Sequence, residues 1–316
     1  MVQVLPVGSE VLSVVPHGKT RWSIGLRVDI EVDGEEKEYF LKIIKQSEWS
    51  DMAKGEYESQ KALAAIIPDN VVIPMAWGMF EEDKSKAFFM TRFRDLRDRP
   101  PPTVQFLAIL KKLHQTSVSP TGKFGFQVTT YNGPPKMVND WTDSWEEYFA
   151  RQFRSDISFL QNVYGEDAEL ADLTEAFIQK VVARLLRPLQ TGGRDIKPTL
   201  CHGDLWDGNV QIDVNTKQPI VFDSCAFYGH NEMDLQNMGD PRYIFGMDFI
   251  DMYKNEIGAS EPQQDFYDRH DIRTDIVVAA ICPEWFKLIE TSKENMRKFL
   301  GRFPNGFGDF KDDVTL

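Results

Sequence analysis

Strand-like and helix-like patterns are segregated along this chain, and their order limits the folds open to it. Residues 11–15, 22–32 and 38–44 (VLSVV, WSIGLRVDIEV, EYFLKII) are rich in β-branched and aromatic residues, and Asp33-Gly34 offers a hairpin turn between the second and third. The spacing predicts a helix over 51–67: Met52, Tyr57, Leu63, Ile66 and Ile67 recur near the helical period, Asp51 opens the segment and Pro68 follows it. Two more strands are expected over 71–80 and 86–93, before DRPPP at 98–102 breaks the pattern. Beyond it, helices are expected over 104–115, 144–164 and 170–189, with a hairpin at 209–213 and 219–223 set among them. Five strands with one inserted helix, then helices around one hairpin, is an α+β order that alternating strand–helix units of a parallel sheet do not give. Two lobes are expected, 1–93 and 94–316, sharing a cleft.

The 316 residues are 42% apolar, enough for a sizeable core. A net charge of -13 leaves no excess of Lys and Arg to displace counterions from a phosphate backbone, so no nucleic-acid partner is expected. Cys201, Cys225 and Cys282 cannot all pair and none sits in a C-x-x-C motif, which fits a reducing compartment and no zinc site. The first residues lack a basic n-region, and no apolar run approaches the roughly 18 residues of a membrane span. The expectation is a cytoplasmic protein with no membrane partner. No pattern specifies an oligomeric state, and the polar tail over 306–316 is expected to be loosely held.

Chemistry concentrates between residues 199 and 234. TLCHGDLWDGNVQID places Asp204 and Asn209 five positions apart just before the hairpin, and Asp223 closes its second strand fourteen residues later. Phosphoryl transfer from ATP needs this set: a carboxylate at the attacking hydroxyl, an amide and a second carboxylate for hard Mg2+, all held on a rigid hairpin. Lys42 in the third strand and Glu56 in the following helix can form the ion pair that turns an ammonium towards the α- and β-phosphates. Glu58 competes for Lys42, but positions two apart on a helix face different ways, so only one can meet it. The backbone over 90–92, at Met90 and Arg92, falls where the interlobe strand ends and is expected to meet an adenine edge. His202 is expected to buttress the loop, and Asp207 carries no assigned chemistry. The turn between the first two strands, VVPHGKTRWSIG, has Gly18 and Gly25 but no G-x-G-x-x-G; Gly18-Lys19-Thr20 mimics the end of a P-loop, yet Ser13 stands where its first glycine belongs.

HGDLWDGN followed by FDSCAFYGHNEMDL closely resembles the signature of the fructosamine-3-kinase or ketosamine-kinase family, and FGFQVTTYNG with VNDWTDSWEEYFARQF resembles further blocks of it. The resemblance covers roughly residues 36 to 240. It implies a bilobal protein-kinase-like fold, and an ATP- and Mg2+-dependent kinase of the 3-hydroxyl of ketosamines, small molecules or glycated protein lysines, in a deglycation repair step. Carried over by residue, it implies Asp204 as base, Asn209 and Asp223 as metal ligands, and Lys42 with Glu56 as the phosphate-positioning pair. Trp206 would wall the acceptor; Asp140 and Trp141 would line its side; Glu232 would bond the catalytic loop backbone or a helix terminus, or offer a carboxylate to the acceptor's amine. Asp234 resembles a structural anchor.

The chain departs from the family pattern in reading Asp223-Ser224-Cys225 where Asp-Pro-Ala is common, and from Met247 onward. Fold and loop do not choose the acceptor. A kinase of an aminoglycoside, aminoalcohol or sugar, and a catalytically weak nucleotide-binding scaffold, therefore remain alternative readings.

Overall fold

The computed structural model describes residues 4–45, 51–272 and 275–311. Its amino-terminal part is an antiparallel sheet of β1 (Glu10–Lys19), β2 (Ser23–Val32), β3 (Glu35–Ile44), β4 (Pro74–Met79) and β5 (Ala87–Arg92), in the order β1-β2-β3-β5-β4. At the β2–β3 turn both Asp33 (φ 56) and Gly34 (φ 78) are left-handed, the geometry of a two-residue hairpin whose twist matches its strands. The chain crosses from β3 to β4 through α1 (Asp51–Ala64), three residues shorter than the expected 51–67 because Pro68 starts a separate turn. One face of the sheet buries Val28, Ile30, Leu41, Phe88 and Met90; the other packs Ile44, Ala87 and Phe89 on Met52 and Ala53 of α1. Helix α1 also leans on the carboxy-terminal part. A Cβ on Gly55 would lie 2.7 Å from Thr129 O, Ser59 Oγ accepts from Ala226 N at 3.0 Å, and Leu63 joins the larger core.

The rest is helical around short strands. β6 (Leu96–Arg97) precedes α2 (Thr103–Thr116), α3 (Trp145–Tyr164) and α4 (Ala168–Phe177), the last running through a π turn into α5 (Ala183–Leu186). β7 (Thr199–Cys201), β8 (Val210–Asp213), β9 (Pro219–Val221) and β10 (Phe227–Gly229) follow, then α6 (Met247–Glu256), α7 (Phe266–Asp271), α8 (Ile276–Ile281) and α9 (Leu288–Arg302). The expected hairpin is β8–β9, extended by β6; β7 pairs with β10. Ser144 caps α3 by accepting from Glu147 N. Trp145, Tyr148 and Phe227 stack in the core with ring centroids 5.4 to 6.5 Å apart.

The tail departs from expectation. Phe307 lies over Arg187 and Phe310 over Arg184 and Arg194, so aromatic rings on guanidinium groups hold the segment through residue 310; residues 312–316 lie outside the described ones. No helix among the described residues is long and apolar enough to cross a membrane.

His230, just past β10, is buried with its Nε2 2.8 Å from Ser260 Oγ. Burial pushes it down to about 4, against the pull of nearby Glu232 and with Arg269 and His114 adding to the fall. A folded pKa below the unfolded one means that the unfolded chain gains a proton first as pH drops. Stability is therefore full above about 6.5 and is lost towards about 4, by up to roughly 3 kcal/mol. Thermal midpoints measured across that window should fall less steeply in His230→Gln than in the wild type; equal slopes would show that His230 is not the group responsible.

Candidate active site

One ammonium joins three distant segments. Lys42 on β3, paired in register with Gly25 and Phe89, reaches Glu56 Oε2 of α1 at 2.8 Å and also contacts Asp223 beyond β9. Lys42 and Glu56 are about nine-tenths buried, with side-chain exposures of 10% and 9%, whereas 46% of Asp223's side chain opens to the cleft. Burial opposes the Lys42 charge, but Asp223 and Glu56 outweigh it and hold the ammonium protonated well above its usual range. Two carboxylates cannot both be neutralised by one cation. Burial works against Asp223 too, yet Lys42 holds it below the usual carboxylate range, while burial pushes Glu56 up to about 7 despite Lys42. Glu58 faces elsewhere, 3.9 Å from Lys61.

The loop after β7 is pinned from behind. His202 N and Gly203 N donate to Asp234 Oδ2 and Oδ1 at 2.8 and 2.9 Å, and Asp234 faces His114 Nε2 at 3.0 Å. Gly203 has φ +90, and a Cβ there would fall 2.4 Å from Cys225 O, so only glycine allows the loop and the 223–225 segment to meet. The buried His202 ring donates from Nε2 to Phe222 O at 3.1 Å, and its Nδ1 accepts from Asp204 N at 3.3 Å. Burial holds this imidazole below its usual pKa, so it serves as a neutral strut.

Asn209 Nδ2 donates to Asp204 O and Oδ2 at 2.8 and 2.9 Å, and Asn237 Nδ2 donates to Oδ1 at 3.3 Å. Burial, then the charge of Asp223, push Asp204 up to about 7; hydrogen bonding from Asn209, Asn237 and Trp206 opposes the rise. Asp223 sits at φ 60, a left-handed conformation uncommon outside glycine, and Cys225 N donating to His202 O at 3.0 Å holds the segment there. Asp207 Oδ1 accepts from Ile244 N at 2.9 Å and is structural.

These groups border a cavity of about 50 Å3 lined by Trp22, Lys42, Met52, Glu56, Tyr131, Gly133, Asp204, Asp223 and Ser224. Trp22, Tyr131, Gly133 and Asn237 belong to the site and were not among the residues expected from sequence; only their folding back over the loop brings them in. Trp206, half-buried, has its ring beside Tyr243 and over Gly208, next to Asp204.

Three expected acceptor residues, Glu232, Asp140 and Trp141, are not among those lining this cavity. Glu232 is buried in a bidentate pair with Arg269 at 2.7 and 2.9 Å and accepts from Ser260 N, so its charge is already spent. The neighbouring Asn139 is drawn inward by Val128 O, Thr130 and Tyr148 OH, which leaves the Asp140 side chain exposed. Trp141 packs on Tyr228, 6.2 Å between ring centroids. Met90 also needs correction as an adenine contact. It is buried between Leu41 of β3 and Ala76 of β4, and pairing with β4 ends at Pro74–Thr91, so open backbone on that side begins at Arg92. No cluster of three or more His, Cys, Asp or Glu suited to a metal occurs among the described residues. A cation here would draw on Asn209 and on Asp223, whose carboxylate opens to the cleft.

A sequence model of the fructosamine kinase family matches residues 24–273. The chain belongs to the fructosamine kinase family. It is 40% identical over 118 residues to the ketosamine-3-kinase of Mus musculus, covering 37% of this chain and 35% of that protein. It is 29% identical over 206 residues to a probable ketoamine kinase of Synechocystis, covering 65% and 64% respectively. It is 29% identical over 127 residues to the chloroplastic protein-ribulosamine 3-kinase of Arabidopsis thaliana, covering 40% and 36%. The matched stretches thus span less than two thirds of those relatives' own lengths. Among solved structures, a fructosamine-3-kinase candidate from Thermobifida fusca superposes over 93% of this chain and 95% of its own, with a TM-score of 0.70 at 22% identity. An aminoglycoside phosphotransferase does so over 92% and 94%, with a TM-score of 0.58 at 16% identity. These likenesses establish the α+β, protein-kinase-like fold of this family member.

Breaking a buried pair costs more than removing an exposed one. Glu56→Ala should lower stability by about 2 kcal/mol in a denaturant titration, Asp223 remaining to share Lys42, and Glu58→Ala by less than about 0.5 kcal/mol. The reverse order would place the wrong carboxylate on Lys42.

Proposed function

We propose that this protein is an ATP-dependent kinase that phosphorylates the 3-hydroxyl of ketosamines, as small molecules or on glycated protein lysines, with residues 1–93 as nucleotide-binding lobe and 94–316 as catalytic and acceptor lobe. The observation that carries this reading is the meeting of Lys42, Glu56 and Asp223 in one cleft with the Asp204–Asn209 pair, in a chain of this family. Lys42 is placed to exchange Asp223 for phosphate oxygens, and the backbone from Arg92 onward to meet the adenine edge.

The donor set fits Mg2+. With its amide nitrogen committed to Asp204, Asn209 is left with its oxygen as an acceptor, and Asp223 adds a carboxylate open to the cleft. When bound, Mg2+ would neutralise charge on the phosphate oxygens. Asp204, whose pKa near 7 suits proton transfer at neutral pH, orients the acceptor hydroxyl and takes its proton as the bond to phosphorus forms. Trp206 beside it, with Tyr131 across the cavity, offers flat apolar surface to a sugar's C–H face. Support for the acceptor comes from the relatives, named for ketosamines and protein ribulosamines. A phosphate on C3, next to the C2 carbonyl, is a leaving group; after its elimination, hydrolysis frees the amine, which reverses glycation.

With Mg2+ and ATP, a panel of ribulosyl-lysine, fructosyl-lysine, an aminoglycoside and choline should show phosphate gained by a ketosamine at C3, read by mass spectrometry and NMR. Phosphate on another acceptor alone, or on another carbon, would overturn the assignment. Asp204→Ala should lose more than roughly a hundredfold in turnover with Mg2+-ATP affinity nearly intact. Asp223→Ala should weaken Mg2+-ATP binding itself, about tenfold or more, because it removes a charge from the metal.

A further inference from the structure

The turn between β1 and β2 lacks the glycines that would wrap a triphosphate, and its tip does something else. Thr20 Oγ1 accepts from Ser23 N at 3.0 Å and from Trp22 N at 3.3 Å, Thr20 N donates to Ser23 O at 3.0 Å, and Lys45 N donates to Trp22 O at 3.1 Å. So ordered, the turn projects Trp22 into the wall of the cavity that holds Lys42, Asp204 and Asp223. Across the cleft the indole meets a glycine: a Cβ on Gly133, at φ +65, would lie 3.4 Å from both Trp22 Cη2 and Ile281 Cδ1. Next to it Arg21 crosses to the carboxy-terminal part. It donates from Nη1 to Ile281 O at 2.8 Å and pairs from Nη2 with Glu284 at 3.0 Å.

We propose that Trp22, latched through Arg21 to Ile281 and Glu284, is a cap that keeps water from the reacting phosphoryl group so that phosphate passes to the acceptor hydroxyl rather than to water. This rests on the kinase reading above. In transfer, the acceptor oxygen bonds to the γ-phosphorus, the bond to ADP breaks, and the hydroxyl proton goes to Asp204. With water in the acceptor's place the same bonds form and break, and inorganic phosphate is released. A kinase must prevent that second course by excluding water or by completing its site only when the acceptor is present.

The dimensions agree with a cap that moves. On the measure by which one water needs about 10–15 Å3, the 50 Å3 beside the indole holds a few waters. A lifted indole widens that space for the acceptor, and a lowered one closes it to water. The latch suits such movement: Arg21 and Glu284 are exposed by 55% and 59%, and an ion pair so open to solvent is weak and screened by salt.

The test is the coupling ratio, phosphorylated acceptor formed per ADP formed, measured with Mg2+-ATP and the best acceptor of the panel, together with titration of a non-hydrolysable ATP analogue. Wild type should couple near one to one. Trp22→Ala should hydrolyse ATP without acceptor and drop the ratio at least about threefold, with analogue affinity changed by less than about threefold, and Trp22→Phe should restore most of the coupling. Should Trp22→Ala fail to fold, Arg21→Ala carries the test, since it leaves the indole and frees the turn; the same uncoupling is expected. Wild-type ratios in these variants, or loss of analogue binding in step with loss of transfer, would overturn the cap while leaving the kinase reading intact. A wild type that binds no analogue and turns over no acceptor would overturn both.

Discussion

The site is organised around a single buried cation. Lys42 arrives from the sheet, Glu56 from α1 and Asp223 from the end of the hairpin, so one ammonium ties together three parts of the chain that are distant in sequence. A buried ammonium cannot be left unpaired without a large penalty, which makes the arrangement of all three segments interdependent. The β2–β3 register puts Lys42 on the cleft side, and the close approach of α1 at Gly55 puts Glu56 against it. The left-handed turn at Asp223 aims the second carboxylate. The cost of the surplus negative charge falls on Glu56, whose raised pKa makes it the first of the pair to take a proton and leaves Asp223 the ionised partner and the one exposed to the cleft.

A second carboxylate does comparable work out of sight. Asp234 takes the amide hydrogens of His202 and Gly203 on its two oxygens and faces His114, whose other ring nitrogen lies 2.7 Å from Tyr253 OH. Through it, α2 and α6 hold the loop that carries Asp204. Positioning of this kind, from groups that never touch a substrate, is what lets a phosphoryl-transfer site rely on placement.

Much of this was legible in the sequence because its signals are local. β-Branched runs, the Asp33-Gly34 turn and the spacing of Asp204, Asn209 and Asp223 each declare themselves within a few residues, and the structure brings that trio and Lys42–Glu56 together. What could not be read depends on distant partners. β6, β7 and β10 are two or three residues long, too short for any period, and form by pairing with a neighbour. Helices α7 and α8 are six residues each, too short to show a period, and α6 and the 15-residue α9 were not assigned from the sequence either. Glu232 looked available beside Asp234, but Arg269, 37 positions on, had claimed it. Asp140 and Trp141 follow an asparagine turned inward, so the loop presents its polar residue outward and its ring to Tyr228. Trp22 and Tyr131 stand far from the motif in the chain and reach it only through the folded turn and loop.

The grip of Asp234 on the loop has a consequence for how the molecule breathes. Amide hydrogens trade with solvent when the structure around them opens, and the 202 and 203 amides are tied to a carboxylate that is itself 1% exposed, among side chains of the main core. Their release requires that core to loosen. In deuterated solvent these two amides belong with the slowest-exchanging of the chain although they lie in a loop, while the turn at Trp22 and Ser23, tied down by an exposed latch, trades its protons early. Of these two places, the base of the cleft is held more firmly than the rim.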